Sequence, residues 1–259
     1  MTSPAAGYHI AGGSWLHRRH PLTKLAGVLF VLIAAFLLPP IALVPLGIAL
    51  IAIAGSVSLI RPLLRSLRLP AVLLLSIVAL NALLFPGGQD VLASFGPFAI
   101  TGEGIRFGVV SAARLLVVFV AGMLMLFTTL PDDLLEGLVA RGVSHRIAFV
   151  VLSAVQLIPR MRDRADRILA AQAARGLAVD GSFRTRVRAL VPVIGPVILG
   201  ALVDVRERTL ALEARGFGAR APRTAYRVVD DPAEDRGIRA ALYVATGLVV
   251  LVALTGVGR

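Results

Sequence analysis

Five long apolar segments constrain this chain more than any other feature of its sequence. A helix that crosses the hydrocarbon core of a bilayer needs about 20 mostly apolar residues. Segments of about that length lie near residues 22–38, 41–60, 69–85, 105–130 and 238–256. Hydrophobic residues make up 57% of the chain, more than a soluble core of this size requires. The sequence therefore predicts an all-α integral membrane protein with about five transmembrane helices.

The distribution of basic residues predicts the orientation of these spans. Arginine and lysine cluster before the first span and at 61–68, whereas the loops near 39–40 and 86–104 contain neither. Because cytoplasmic loops carry the excess of positive charge, the N-terminus and the 61–68 loop are predicted to face the cytoplasm. Arg236 and Arg239 precede the last span and place its start there too, so the C-terminus near Arg259 is predicted to lie outside.

The polar segment 131–237 is predicted to be a cytoplasmic domain. It separates an N-terminal transmembrane domain, 1–130, from a C-terminal transmembrane helix, 238–259. Pro131 with Asp132 and Asp133 suits a first helical turn, and Gly142 suits the end of that short helix. The net charge of +12 is assigned to topology and partner contacts, because the basic residues are not interleaved with aromatic ones as in nucleic-acid-binding surfaces.

Two long amphipathic helices are predicted within this segment. Apolar residues at spacings of three and four, among them Leu157, Met161, Ala165 and Ile168, indicate a first helix that ends at Gly176. A second helix is expected from about Pro196 to Gly216, with Asp204 and Arg208 paired along it. Pro192 and Pro196 predict a bend between the two helices, because proline lacks a backbone donor and obstructs a continuous helix.

Both predicted helices end on the same three residues. Ala174-Arg175-Gly176 and Ala214-Arg215-Gly216 follow the two long helices, and Ala140-Arg141-Gly142 is a third copy after the short one. An arginine in the last turn followed by a glycine is an ordinary helix ending. The repeated triplet is therefore either a simple helix cap or a contact with a partner.

The ordered set of motifs resembles the transmembrane T component of energy-coupling-factor transporters. The paired Ala-Arg-Gly triplets are characteristic of that family, and the segments "TTLPDDLLEGL" and "LIPRMRDRADRILAAQAARG" are similar to its central region. "HPLTKL" at 20–25 resembles the N-terminal pattern Asp-Pro-x-Thr-Lys-Leu, with His20 where the family often has aspartate. The resemblance covers nearly the whole chain.

The resemblance implies a multi-pass subunit of a prokaryotic cell membrane that joins two ABC-type ATPase subunits to a substrate-binding S component. The S component chooses a vitamin or a transition-metal ion. The residues implied in ATPase coupling are Ala174, Arg175, Gly176, Ala214, Arg215 and Gly216, with each arginine entering a groove on one ATPase. The chain is expected to be non-catalytic and to hold no cofactor, since the phosphate-binding pattern Gly-x4-Gly-Lys-Ser/Thr is absent.

Other residues point to weaker possibilities. His17 and His20 have a spacing that could place both on one metal, but no third ligand is evident. Arg114 lies within an apolar span, where a charge is a candidate functional group, although it could equally snorkel to the interface or pair with Glu103. Asn81 is a candidate polar contact between helices or with the S component. A solitary secondary carrier or channel and a membrane-embedded enzyme are the alternative functions.

Overall fold

The computed structural model describes residues 10, 12–85, 91–95, 98–176, 183–217 and 230–255. The chain divides into two compact units. The membrane unit lies within Tyr8–Arg141 and Val229–Arg259, and the helix-pair unit lies within Gly142–Val228. In chain order the elements are α1 (Trp15–Arg18), α2 (Pro21–Leu37), the 3-10 helix η1 (Pro40–Ala42), α3 (Leu43–Ser56), α4 (Ile60–Ser66), α5 (Arg68–Leu84), β1 (Val91–Phe95), β2 (Phe98–Thr101), α6 (Gly102–Thr128), α7 (Pro131–Val139), α8 (His145–Ala174), α9 (Phe183–Ala214) and α10 (Ala233–Thr255).

The apolar helices coincide with the five predicted spans. α6, with 27 residues, and α10, with 23, are each long and apolar enough to cross a bilayer, and α4 with α5 qualifies as a third span bent by 56°. α2 has 17 residues and is shorter, as is the segment Pro40–Ser56. This is the architecture of an all-α membrane protein. The division of the chain at residues 130 and 237 stays a prediction.

The core of the membrane unit forms around α6. This helix packs against α2, α3 and α5, and α2 also packs against α10. Buried side chains from four helices meet there, among them Val31, Leu50, Leu63, Val120 and Leu124. Many other apolar side chains of the unit are exposed in the isolated chain, as expected for helices that are covered by lipid or by partner subunits.

α5 and α6 approach each other closely because two glycines of α6 face α5. A Cβ atom built on Gly104 would lie 2.4 Å from the backbone oxygen of Asn81, and one built on Gly108 would lie 3.0 Å from Cα of Val78. Small residues allow this kind of approach between membrane helices. The side chain of Asn81 donates from Nδ2 to the carbonyl oxygen of Ile77 at 2.8 Å, so it is bonded to its own helix.

A β-hairpin replaces part of the loop expected between the third and fourth spans. β1 and β2 pair antiparallel, with Phe95 opposite Phe98 and Val91 opposite Thr101, and the register shifts between Val91 and Ala93. The hairpin leads directly into α6, whose first turn is capped by Thr101: its Oγ1 accepts a hydrogen bond from the N–H of Gly104 at 3.2 Å.

The short helix α7 begins as the sequence predicts. Pro131 occupies its first turn together with Asp132 and Asp133, and Gly142 follows with a φ of +98°. The helix belongs to the membrane unit and packs against α2. Gly137 makes that contact possible, since a Cβ atom there would lie 3.2 Å from Cε1 of His20.

The helix-pair unit corrects two expectations about the second long helix. α9 begins at Phe183 rather than near Pro196, and it continues through Pro192 and Pro196. These prolines therefore lie inside a helix and not in the connection between the two long helices, and the connection at 177–182 lies outside the described residues. Each proline removes one backbone donor, and the other hydrogen bonds of the 32-residue helix keep the segment helical.

Candidate coupling site

The first long helix ends in a tight, glycine-dependent turn. Ala174 is the last residue of α8, and Arg175 is its C-cap. The N–H of Arg175 donates to the oxygen of Gln172, and the N–H of Gly176 donates to the oxygen of Ala173, both at 3.0 Å. Gly176 has a φ of +93°, a conformation that glycine adopts without the steric cost paid by other residues.

The second long helix ends in the same way. Ala214 is the last residue of α9, and Gly216 has a φ of +73°. The N–H of Phe217 donates to the oxygen of Leu212 at 2.8 Å, which is the six-to-one bond of a glycine-terminated helix. Both glycines are therefore demanded by backbone geometry, and both turns present the preceding arginine at the tip of a helix.

Arg175 and Arg215 are exposed in the chain on its own. Within the part of the chain that the structure describes, neither guanidinium forms an ion pair or a side-chain hydrogen bond. Open space surrounds the two glycines as well, because a Cβ atom on Gly176 or Gly216 would meet nothing within 4 Å. The two turns are thus accessible surfaces that carry an unpaired charge.

The two arginines lie at opposite ends of an antiparallel helix pair. Arg164 of α8 pairs with Asp204 of α9, and the ring of Phe217 lies 4.7 Å from that of Phe149 near the start of α8. These contacts place Arg215 beside the beginning of α8, whereas Arg175 lies at its end. These pairings put Arg215 about 23 residues from Arg175 along the pair, which at about 1.5 Å per residue is roughly 35 Å.

The ion pair between Arg164 and Asp204 fixes the two helices against each other. Nη2 of Arg164 donates to Oδ1 of Asp204 at 3.0 Å, and Nη1 lies 2.9 Å from Oδ2. The hydrogen bond from Arg164 lowers the pKa of the Asp204 carboxyl. Asp204 therefore binds across the helix pair, and its predicted pairing with Arg208 is not found among the described ion pairs. Gly200 leaves room for the Arg164 side chain, which lies 3.0 Å from the position of a Cβ atom there.

The third triplet differs from the other two in its contacts. Arg141 lies in the membrane unit, where its Nη2 is 3.7 Å from Oδ2 of Asp231. That carboxylate also binds Arg239 at 2.6 Å. Arg141 is thus engaged within its own unit, in contrast to Arg175 and Arg215.

The N-terminal motif forms the centre of a buried polar cluster. His20 caps α2 by accepting the N–H of Leu22 at Nδ1, at 3.2 Å. Nη1 of Arg239 lies 3.1 Å from the same nitrogen, and the backbone N–H of His20 donates to Oδ2 of Asp235 at 3.1 Å. Arg239 and Asp235 are almost completely buried, with 2% and 1% of their surface exposed. The cluster joins the start of α2 to the start of α10.

Lys24 extends this motif toward the end of α6. Its Nζ donates to the carbonyl oxygen of Thr128 at 2.7 Å and to that of His17 at 3.4 Å. The last carbonyls of a helix have no partner within the helix and carry its negative dipole end. A buried ammonium group at this position therefore ties the start of α2 to the end of α6.

The sequence comparisons decide the family. The family model described as cobalt transport protein, CbiQ, matches residues 12–226. The chain belongs to this family. It is 31% identical, over 96% of both chains, to the energy-coupling factor transporter transmembrane protein EcfT of Heliobacterium modesticaldum. It is also 30% identical to the EcfT of Exiguobacterium sibiricum, over 95% of this chain and 97% of that one.

The protein is therefore a T component of the EcfT type, a transmembrane subunit of an energy-coupling-factor transporter. A further relative is named as an ABC transporter ATP-binding protein of Bifidobacterium longum, with 29% identity. The match covers 96% of this T component and 33% of that longer protein. A region similar to nearly the whole T component thus occurs within a protein named for ATP binding.

The two histidines of the N-terminal segment have separate hydrogen-bond partners in the T component. Nδ1 of His17 lies 2.5 Å from Oγ of Ser14, and its Nε2 lies 3.0 Å from the oxygen of Ile10. His20 faces Leu22 and Arg239 instead. Among the described residues, no group of three or more histidine, aspartate or glutamate side chains is arranged to hold a metal ion.

Sequence reasoning missed the role of the residues before the last span. Arg239 was expected to mark the cytoplasmic start of that span, but it is buried between Asp231 and His20. Its spacing of four residues from Asp235 puts both side chains on one face of α10, and Asp231 lies two residues before that helix begins. That spacing is a usable signal, but the partner across the interface, His20, is 219 residues away in sequence.

Proposed function

We propose that this T component couples two ABC-type ATPase subunits to a substrate-binding S component. Arg175 and Arg215 each enter a groove on one ATPase, and the helix-pair unit transmits ATP-driven motion toward the membrane unit. The assembly imports a vitamin or a transition-metal ion across a prokaryotic cell membrane. ATP is hydrolysed by the partners, and the T component is non-catalytic.

The observation that carries this proposal is the pair of matching helix ends. Two exposed arginines without partners among the described residues stand at opposite ends of one helix pair, each before a glycine with positive φ. A guanidinium group is always charged and forks onto carboxylates. A spacing of roughly 35 Å suits two separate partners better than one small site.

The relatives support the assignment to an ATP-driven transporter. The Heliobacterium and Exiguobacterium proteins are named as transmembrane proteins of energy-coupling factor transporters. The Bifidobacterium protein, which contains a similar region, is named for ATP binding. A T component that acts beside ATPase subunits would explain why some relatives are named as transmembrane proteins and another is named for ATP binding.

Contact with an S component is supported by an exposed apolar stripe on α9. Ile194, Ile198 and Leu202 follow one another at intervals of four residues and are 54–62% exposed in the isolated chain. Side chains at this spacing lie on one helical face. A stripe of this kind suits an apolar partner such as a helical membrane subunit.

The test is charge reversal at both helix ends. In Arg175→Glu/Arg215→Glu, each site presents an acid to the partner carboxylate, with a penalty of about 2–5 kcal/mol per site if the pair is buried. We expect the double variant to insert normally but to lose the ATPases or to uncouple hydrolysis from uptake. The measurements are copurification of the ATPase subunits and ATP-driven uptake at matched membrane levels.

The matched control is Arg167→Glu, which makes the same charge change at an exposed position of α8 outside the triplet. It should retain the ATPases and uptake. Arg141→Glu should lower stability by disturbing Asp231, without removing the ATPases. If the double variant behaves like the wild type, or if Arg167→Glu is equally damaging, the two triplets are only helix caps.

A further inference from the structure

A cavity of about 400 Å³ lies beside the first half of α6. One face of α6 forms its wall, since Glu103, Phe107, Val110 and Arg114 line it at intervals of three and four residues, and Arg106 lies beside them. Phe85, at the end of α5, lines it too, and its ring centroid is 5.5 Å from that of Phe107. The cavity is therefore an apolar recess into which two arginines project.

Arg114 is the residue that gives this cavity its chemistry. It lies near the middle of the 27-residue helix α6, and its Nε is buried without a hydrogen-bond partner. Pairing with Glu103, one of the two structural alternatives given by the sequence, is not found among the ion pairs of the described residues. A guanidinium group stays charged at any physiological pH, so a buried N–H of this group favours an anionic acceptor.

Both arginines line the recess, which therefore holds two positive charges. Helical Cα–Cβ bonds tilt toward the N-terminus of the helix, which directs Arg114 toward Ser111 and Arg106. Arg106 is itself exposed. Glu103 is the acidic residue of the lining, so the described lining carries two positive charges against one negative charge.

The surroundings of the cavity favour an anion that comes from a lipid over one that comes from water. Phe107 is 53% exposed and Leu84 is 57% exposed, and the predicted topology places both near the outer face of the membrane. An aqueous anion would have to leave water to reach such a site. A phospholipid already holds its phosphate at the membrane interface, with acyl chains that can cover Phe107 and Leu84.

We propose that this cavity binds an anionic phospholipid, with its phosphate group on Arg106 and Arg114. The predicted topology places this end of α6 in the outer leaflet. The site is separate from the coupling residues, and it does not depend on the proposed coupling function.

The test uses the full chain in vesicles, with Trp15→Phe and Phe107→Trp placing one tryptophan on the cavity wall. Brominated phosphatidylglycerol should quench this tryptophan at a mole fraction about five-fold lower than brominated phosphatidylcholine. A difference of this size is expected because one basic side chain near the surface contributes about 1 kcal/mol to the binding of an anionic lipid. Arg114→Gln should abolish the preference, and Arg114→Lys should keep most of it. Arg68→Gln, an exposed arginine outside the cavity, is the control and should leave the preference unchanged.

Equal quenching by the two lipids would overturn the proposal, as would a preference that survives in a folded Arg114→Gln variant. Competition by millimolar inorganic phosphate would assign the site to an aqueous anion. If the S component abolishes the lipid preference when it joins the complex, the cavity belongs to a protein contact instead. If Arg114→Gln does not fold, Arg106→Gln should weaken the preference about five-fold, and an unchanged preference there would count against the site.

Discussion

The side chain of His20 connects α2, near the start of the chain, to α10, near its end. Its Nδ1 faces two donors, the N–H of Leu22 and Nη1 of Arg239. An atom that faces two donors must act as an acceptor, so the ring is neutral and its proton is on Nε2. Burial lowers the pKa of His20, and the nearby Arg239 and Arg141 act in the same direction, whereas Asp231 and Asp235 oppose them.

This electrostatic setting predicts a loss of stability in mild acid. Because the folded state keeps His20 neutral, it binds fewer protons than the unfolded state once the pH falls below the ordinary histidine pKa of about 6.5. The free energy of unfolding should therefore decrease as the pH is lowered from about 7.5 to about 5.5, by at most about 1.4 kcal/mol per pH unit for one proton. Thermal unfolding in detergent, measured across this range, tests the expectation.

His20→Asn is the matched variant for this test. The asparagine oxygen can accept both hydrogen bonds and is a good N-cap, but it does not titrate. The variant should show a smaller pH dependence than the wild type over the same range. An identical pH dependence in the two proteins would mean that another group is responsible.

At the scale of elements, the packing of α5 against α6 depends on the absence of a side chain at Gly104. A Cβ atom there would lie 2.4 Å from the backbone oxygen of Asn81 and 2.9 Å from Cβ of Phe85. Backbone atoms cannot move away as a flexible side chain can. The two helices would have to separate to admit even one methyl group.

Gly104→Ala should therefore destabilise the protein by about 1–3 kcal/mol, the usual cost of overpacking. Gly122→Ala is the control on the same helix, because a Cβ atom at Gly122 would meet nothing within 4 Å and alanine is a better helix former than glycine. The thermal unfolding midpoint of purified protein should fall for the first variant and hold or rise for the second. Equal midpoints would show that α5 and α6 do not pack this closely.

At the scale of the whole molecule, the membrane topology stays a prediction. The helices fall on the five apolar segments, but among the described residues only α6 and α10 are each long and apolar enough to cross a bilayer, with α4 and α5 together as a third candidate. α2, at about 1.5 Å per residue, is roughly 26 Å long, a little short of an average hydrocarbon core. Thinning or local distortion of the bilayer can accommodate such a helix at modest cost.

The absence of cysteine from the sequence makes this topology simple to test. Arg65→Cys lies in the loop predicted to be cytoplasmic, and Ser94→Cys lies in the hairpin predicted to be outside. In intact cells, a membrane-impermeant maleimide should label only Ser94→Cys. Arg65→Cys should react after permeabilisation, and labelling of Arg65→Cys in intact cells would contradict the predicted orientation.

The sequence by itself determined the helical membrane architecture and the endings of α8 and α9. These features depend on local properties: apolar segments of bilayer length, and glycine at the position where φ becomes positive. The start of α9 differs from the predicted one, because the remaining hydrogen bonds of a long helix can persist around a proline.

Only the tertiary structure decided which charges are paired. Arg141, Arg175 and Arg215 share one triplet, yet Arg141 meets Asp231 and the other two have no ion-pair partner among the described residues. Arg239 has the sequence context of an interfacial arginine, yet it is buried against His20. Arg114 has an acidic residue three helical turns away, yet its Nε has no partner. Ion pairs depend on distances between atoms that are far apart in sequence, and no local pattern encodes those distances.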